Sequence, residues 1–150
     1  MGHSLKERRT SPYIVRQVDG VDEADALLEL QEAFRPEMPL ADTTDGWWWM
    51  AYRAGLPVAY LGVIVSTHYP RALYFKRVGV LRDHRGNSLQ ARLMRSMERF
   101  AHRSGFTALV SDTTDNVHSA NNFIRAGWSL FDPEYRWAFS NTLYWRKELA

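Results

Sequence analysis

Arg77-Val78-Gly79-Val80-Leu81-Arg82-Asp83-His84-Arg85-Gly86-Asn87-Ser88-Leu89-Gln90 joins a hydrophobic strand to a long helix through a short polar loop. The first turn of a helix has backbone N–H groups without intrahelical partners, and the helix dipole places partial positive charge there. A phosphate fits such a site. Arg82 and Arg85 flank it as sources of charge-assisted contacts, and Gly86 lets the backbone approach closely. The bland alternative is an ordinary strand–loop–helix with surface arginines. No Gly-Lys-Ser/Thr follows, so the loop is not a Walker loop. The glycines of a dinucleotide fingerprint are missing too.

The helix after the loop, Leu89 to Ser104, is amphipathic. Leu89, Leu93, Met97, Phe100 and Ala101 share one face, and Gly105 closes it. Upstream, Tyr13–Val18, Trp47–Arg53, Val58–Ser66 and Leu73–Leu81 read as strands. Ala54-Gly55 is a hairpin turn, and Thr67–Arg71 is a loop. Val21–Phe34 has a helical apolar period stopped by Pro36 and Pro39, with a loop or short helix over Glu37–Asp45. Downstream come a strand at Thr107–Ser111, a helix at Asn116–Ala126 closed by Gly127, and strands at Trp128–Phe131 and Thr142–Lys147. The expected fold is α/β: a mixed, mostly antiparallel sheet of six to seven strands flanked by helices. No linker divides residues 1–150, which read as one domain, with residues 1–11 as a loose arm.

Composition narrows the chemistry. There are no cysteines, so disulfides, thiolate metal sites and a cysteine nucleophile drop out. The five histidines show no metal spacing, and no metal is expected. No run of about 18 apolar residues suggests a membrane span, and a cytoplasmic protein is expected. The net charge of +2 gives nucleic-acid binding little support. Arg92, Arg95, Arg99, His102 and Arg103 form a basic stripe on the Leu89 helix, read either as a patch for an acidic partner or as a solvated face. Asp-Thr-Thr-Asp occurs at Asp42–Asp45 and again at Asp112–Asp115, which suits turns and caps.

Val78 to Met94 resembles the central motif of GCN5-related N-acetyltransferases, Arg/Gln-x-x-Gly-x-Gly/Ala after a strand, with Arg85 on its first position. Asn116-Val-His-Ser-Ala-Asn-Asn-Phe-Ile-Arg-Ala-Gly-Trp128 resembles that family's second helix, and the order of elements agrees from end to end. The resemblance implies an acyl-CoA site with acetyl-CoA as donor. Val78, Gly79 and Val80 would face the pantetheine arm, Arg85, Gly86, Asn87, Ser88, Leu89 and Gln90 would wrap the pyrophosphate, Asn116 would lie near the pantetheine or the thioester, and Phe123 would stand at the family's tyrosine position within the cofactor site. The strand of Val78 and the next strand would splay apart to receive the thioester. The acceptor, an unidentified primary amine, would attack directly, without a covalent enzyme adduct.

Three positions depart from the family pattern. Ser88 and Gln90 replace motif glycines; Ser88 suits a negative φ, and Gln90 must turn from the phosphates or contact them. Phe123 replaces the tyrosine that protonates the departing thiolate, leaving water, Ser119 or Tyr74 for that task. For a base, Tyr74 and Asp112 are candidates. An ordinary tyrosine pKa near 10 makes Tyr74 a poor base but a fair holder of water. Asp112 reads first as a helix cap, where Asp is favoured, and only second as a base. A non-catalytic acyl-CoA binder and an interaction domain using the arginine stripe are the rival functions. Trp47-Trp48-Trp49 places at least one ring in the core, and the alternative role for one of them is a wall of the acceptor site alongside the loop bearing Glu37, Asp42 and Asp45. The aromatics Trp137, Phe139, Tyr144 and Trp145 either pair with a second chain as a homodimer or close the chain's own core.

Overall fold

Trp47, Trp48 and Trp49 define the two faces of the sheet, because side chains alternate along a strand. In the computed structural model, which describes residues 11–149, Trp47 and Trp49 lie against Phe100 at 5.3 and 5.4 Å. Trp48 points the other way and is fully buried among Leu27, Leu30 and Tyr60. Its ring covers Gly62 so closely that a Cβ there would sit 2.5 Å from it. The expected N-terminal arm lies outside the described residues except for Ser11.

Seven strands form one sheet: β1 (Tyr13–Val18), β2 (Trp47–Arg53), β3 (Leu56–Val65), β4 (Ala72–Val80), β5 (Ala108–Thr113), β6 (Ser129–Leu130) and β7 (Leu143–Glu148). Their order is β1-β2-β3-β4-β5-β7-β6. All neighbours are antiparallel except β4 and β5. Helices α2 (Leu89–Arg103) and α3 (Val117–Arg125) share the larger core with Trp49, Phe75 and Trp145. Helix α1 (Ala24–Phe34) covers the opposite face through Leu27 and Leu30. The mixed, mostly antiparallel sheet flanked by helices is the architecture expected from the pattern.

The differences are local and have local causes. Helix α1 starts at Ala24 rather than Val21 because the Asp19 carboxylate accepts the N–H groups of Val21 and Asp22 (2.8 and 3.0 Å), which forms a turn. Residues 37–45 form no helix. Strand β5 runs on to Thr113, so Asp112 lies within a strand and caps no helix. The cap of α3 is Asn116, whose side chain accepts Ser119 N–H at 3.0 Å. Tyr144 and Trp145 are buried in the chain's own core and Trp137 is half-buried, while Phe139 is exposed. No helix among the described residues is long and apolar enough to cross a membrane.

One irregularity positions the site. On β4, Arg77 pairs with Gly62 and Phe75 with Val63, so Lys76 is an extra residue. Such a bulge bends and twists its strand. Strand β4 then pairs with β5 over only Ala72, Leu73 and Tyr74, and the two part beyond that point. The splaying expected of these two strands is present.

Candidate functional site

The loop between β4 and α2 builds a concave set of backbone donors. Gly86 takes φ +81° and Ser88 φ +57°, with Asn87 between them outside the positive-φ region. Alternation of this kind turns successive N–H groups inward as an anion-binding nest. Among the described residues, none of the six N–H groups from Gly86 to Ala91 has a hydrogen-bond partner; helical bonding begins with Arg92 N–H to Ser88 O. Asn87 secures the loop from behind. Its Nδ2 donates to Tyr13 Oη at 3.1 Å and to the carbonyls of His84 and Arg85 at 3.0 and 3.3 Å. Arg85 lies across the loop with its guanidinium over the Phe34 ring at 5.9 Å.

A cleft of about 1140 Å³ opens over these donors. It extends from Phe34 past Val78, Gly79 and Val80, crosses the nest, and continues between α2 and α3. Gly86, Ser88, Leu89, Gln90, Arg85, Asn116 and Ser119 all line it; Asn87 and Phe123 do not. Its cations outnumber its carboxylates. Lys147 pairs with Glu98 at 3.0 Å and Arg35 with Glu37 at 3.3 Å, which leaves Arg85, Arg95 and Arg125 without carboxylate partners among the described residues. The wall of the cleft thus offers a positive field and free donors to a polyanion.

Beyond Tyr74, the β5-facing edge of β4 has no ladder partner. Ser111 Oγ closes the start of the gap by donating to Phe75 O at 2.8 Å. Asp112 stands just past this point, on the α1 side of the sheet. Its Oδ2 accepts Tyr74 Oη–H at 2.6 Å and Trp137 Nε1–H at 2.9 Å. No described group donates to Oδ1, and that oxygen is not among the sealed polar atoms. The structure therefore brings Tyr74 and Asp112 together and sets Ser119 apart, in the cleft on the helical side. Burial, then the Asp112 charge and hydrogen bond, push the Tyr74 phenol far above its ordinary range. Tyr74 stays protonated at neutral pH and holds the carboxylate.

A family model described as the Acetyltransferase (GNAT) family matches residues 6–128. The chain belongs to this family. Solved GNAT structures share its fold. An aminoglycoside 6'-N-acetyltransferase complexed with coenzyme A superposes with a TM-score of 0.74 at 14% identity, covering 91% of this chain and 97% of that one. Nourseothricin acetyltransferase gives 0.67 at 21% identity, covering 93% and 100%. The ribosomal-protein-S18-alanine N-acetyltransferase from Escherichia coli gives 0.72 at 10% identity, covering 92% and 94%. No curated protein sequence matches the chain.

Within the GNAT frame, the three departures acquire physical accounts. Ser88 does not take the negative φ expected of it; it occupies the left-handed region at the position where the motif has glycine. Gln90 turns along α3, where its Oε1 accepts Asn122 Nδ2–H at 3.1 Å. Phe123 is 5% exposed and sits against Phe75, Trp128 and Trp145, with ring centroids 4.5–5.7 Å away. No group there reaches the cleft to donate a proton. Sequence reasoning missed Trp137, because no local signal shows that a loop tryptophan reaches Asp112 25 residues away.

A left-handed backbone costs a non-glycine residue on the order of 1 kcal/mol. Ser88→Gly is expected to stabilise the fold by roughly 0.5–1 kcal/mol once the greater chain entropy of glycine is counted, read from urea unfolding midpoints. Two buried phenols predict the alkaline limb of stability. Burial pushes Tyr60 up to about 12 from 10.0, and Tyr74 is raised as well. Both groups ionise in the unfolded chain before they ionise in the native one. Their contribution is therefore full below pH 10 and lost as pH rises above it, for Tyr60 until about pH 12. Denaturation at pH 9 to 12 should show this fall, and Tyr60→Phe should flatten it.

Proposed function

We propose that the chain is a single-domain, cytoplasmic N-acetyltransferase that moves an acetyl group from acetyl-CoA to a primary amine by direct attack. The observation that carries this reading is the run of six unpartnered N–H groups, Gly86 to Ala91, beside the unpaired edge of β4. A pyrophosphate supplies the acceptors that these donors lack. Arg85 adds a cation at the rim, and Asn87 acts through the loop, since its side chain is engaged behind it. The free edge at Val78, Gly79 and Val80 suits the amides of a pantetheine arm, taken like an added strand.

Coenzyme A supplies an activated thioester, and the chain supplies position and proton transfer. A backbone N–H on the free edge of β4 polarises the carbonyl. Asp112 Oδ1 accepts the proton that the amine must lose, and Tyr74 and Trp137 keep that carboxylate aimed. Attack forms the nitrogen–carbon bond and a tetrahedral intermediate, whose collapse breaks the carbon–sulfur bond. The departing sulfur takes its proton from Ser119 Oγ–H or from water, because Phe123 has none to give. The burial of Phe123 also supports a second reading, an acyl-CoA binder without turnover.

Calorimetric titration with acetyl-CoA tests the donor site. Arg85→Glu is expected to weaken binding at least tenfold, and a wild-type protein that ignores millimolar acetyl-CoA sinks the proposal. Thiol release over a panel of amines separates enzyme from binder. If Asp112 is the base, Asp112→Asn should lower kcat by about 10²–10⁴-fold while acetyl-CoA affinity holds.

A further inference from the structure

The N–H groups from Gly86 to Ala91 point into one concavity without partners among the described residues, and Ser88 holds a left-handed backbone among them. Dipoles aimed at one point repel, and that backbone is unfavourable for serine. The loop needs a tie from outside itself to keep this shape.

Tyr13, at the start of β1, supplies the tie on both sides of the run. On the loop side, its Oη accepts Asn87 Nδ2–H at 3.1 Å. On the helix side, its carbonyl accepts Arg92 Nη1–H at 3.3 Å, and Ser11 Oγ accepts the same nitrogen at 3.2 Å. Arg92 is also the residue whose N–H makes the first helical bond of α2, to Ser88 O. The Tyr13 ring is itself fixed. It is 7% exposed, with the Arg53 guanidinium over its face at 5.4 Å and the His84 ring edge-on at 5.8 Å.

Proton counting shows how the hydroxyl is used. Asn87 Nδ2 also donates to the carbonyls of His84 and Arg85, which can only accept, so the amide orientation is decided. Tyr13 Oη therefore accepts from Asn87, and its own proton remains to be placed. His84 Nδ1 stands 3.1 Å from Oη. If Nδ1 donated, the hydroxyl proton would have no acceptor among the described residues, which is unfavourable in a buried position. The network thus makes Nδ1 the acceptor, and neutral His84 carries its proton on Nε2. One phenolic oxygen holds the segment at His84, where the loop leaves β4, and again at Asn87, inside the nest.

We propose that Tyr13 is a positioning residue of the donor site: its hydroxyl, by holding His84 and Asn87, sets the loop so that its N–H groups converge on the pyrophosphate. This rests on the donor-site reading above and adds a residue from the far edge of the sheet, outside the cleft wall. Tyr13 touches no ligand. It prepares the donors before the anion arrives, so binding does not have to order them.

Tyr13→Phe keeps the buried ring and the Arg92 contact and removes only the hydroxyl. Coenzyme A affinity, read by calorimetry, is expected to fall about fivefold, the typical contribution of one hydrogen bond. Inorganic pyrophosphate, followed through the amide resonances of Gly86 to Ala91, should weaken by the same factor. At saturating coenzyme A the Val78 to Val80 amides should reach their wild-type positions, which general damage to the fold would not allow. Asn87→Ala should weaken coenzyme A at least as much, and adding Tyr13→Phe to it should cost less than about twofold more, because the two changes break the same contact. In the ligand-free wild type at about pH 8.5, where an ordinary histidine is neutral, His84 Nδ1 should resonate as an unprotonated ring nitrogen. Unchanged affinity in Tyr13→Phe, fully additive losses, displaced Val78 to Val80 resonances or a protonated Nδ1 each overturns the proposal. Wild-type nest amides that ignore both pyrophosphate and coenzyme A would sink the donor-site reading instead, and the His84 measurement, made without ligand, separates the two failures.

Discussion

Strands β4 and β5 run parallel for three pairs and then separate, and the site is organised around that separation. A sheet normally satisfies its interior strands on both sides. Here the bulge at Lys76 bends β4, and Ser111 caps the last shared carbonyl, at Phe75. The edge beyond is left to face the cleft. The same bulge resets the alternation of β4, so that Arg77 joins Tyr74 on the α1 face while Val78 and Val80 pack toward the α2 and α3 core. One inserted residue therefore opens the gap and chooses which side chains stand on each side of it.

The floor of the gap is aromatic. Phe75, Phe123, Trp128 and Trp145 pack edge to face or offset, with Phe75 and Trp128 6.0 Å apart. Losing such a ring typically costs about 3–5 kcal/mol. Phe123 is therefore part of what keeps α3 seated on the sheet. Ser119 is one turn earlier on the same helix face and lines the cleft without disturbing this packing.

Charge is divided between the two sides of the sheet. On the α2 and α3 side, arginines and N–H groups without partners among the described residues surround the cleft, which suits an anion. On the α1 side, Tyr74 and Trp137 hold the Asp112 carboxylate, and Arg77 donates to Gln31 Oε1. Buried polar groups of this kind are unfavourable unless something completes them.

Much of this was legible in local pattern. Strand alternation, the amphipathic period from Leu89, the hairpin at Ala54-Gly55 and the strand–loop–helix at Val78 to Gln90 depend on neighbouring residues, so the sequence by itself determined the α/β class, the element order and the place where β4 turns into α2. The conformation of Ser88 was not legible, since a left-handed serine arises only when the loop is held at both ends, here through Asn87 and Tyr13, 74 residues apart. Local pattern favoured a cap at Asp112, and only the extension of β5 past it removed that reading. The Asp112 partners Tyr74 and Trp137 lie 38 and 25 residues away, and Gln31 meets Arg77 across 46. Tertiary structure alone decided these pairs, because hydrogen-bond geometry between distant elements depends on register, bulge and twist, and no sequence period records them.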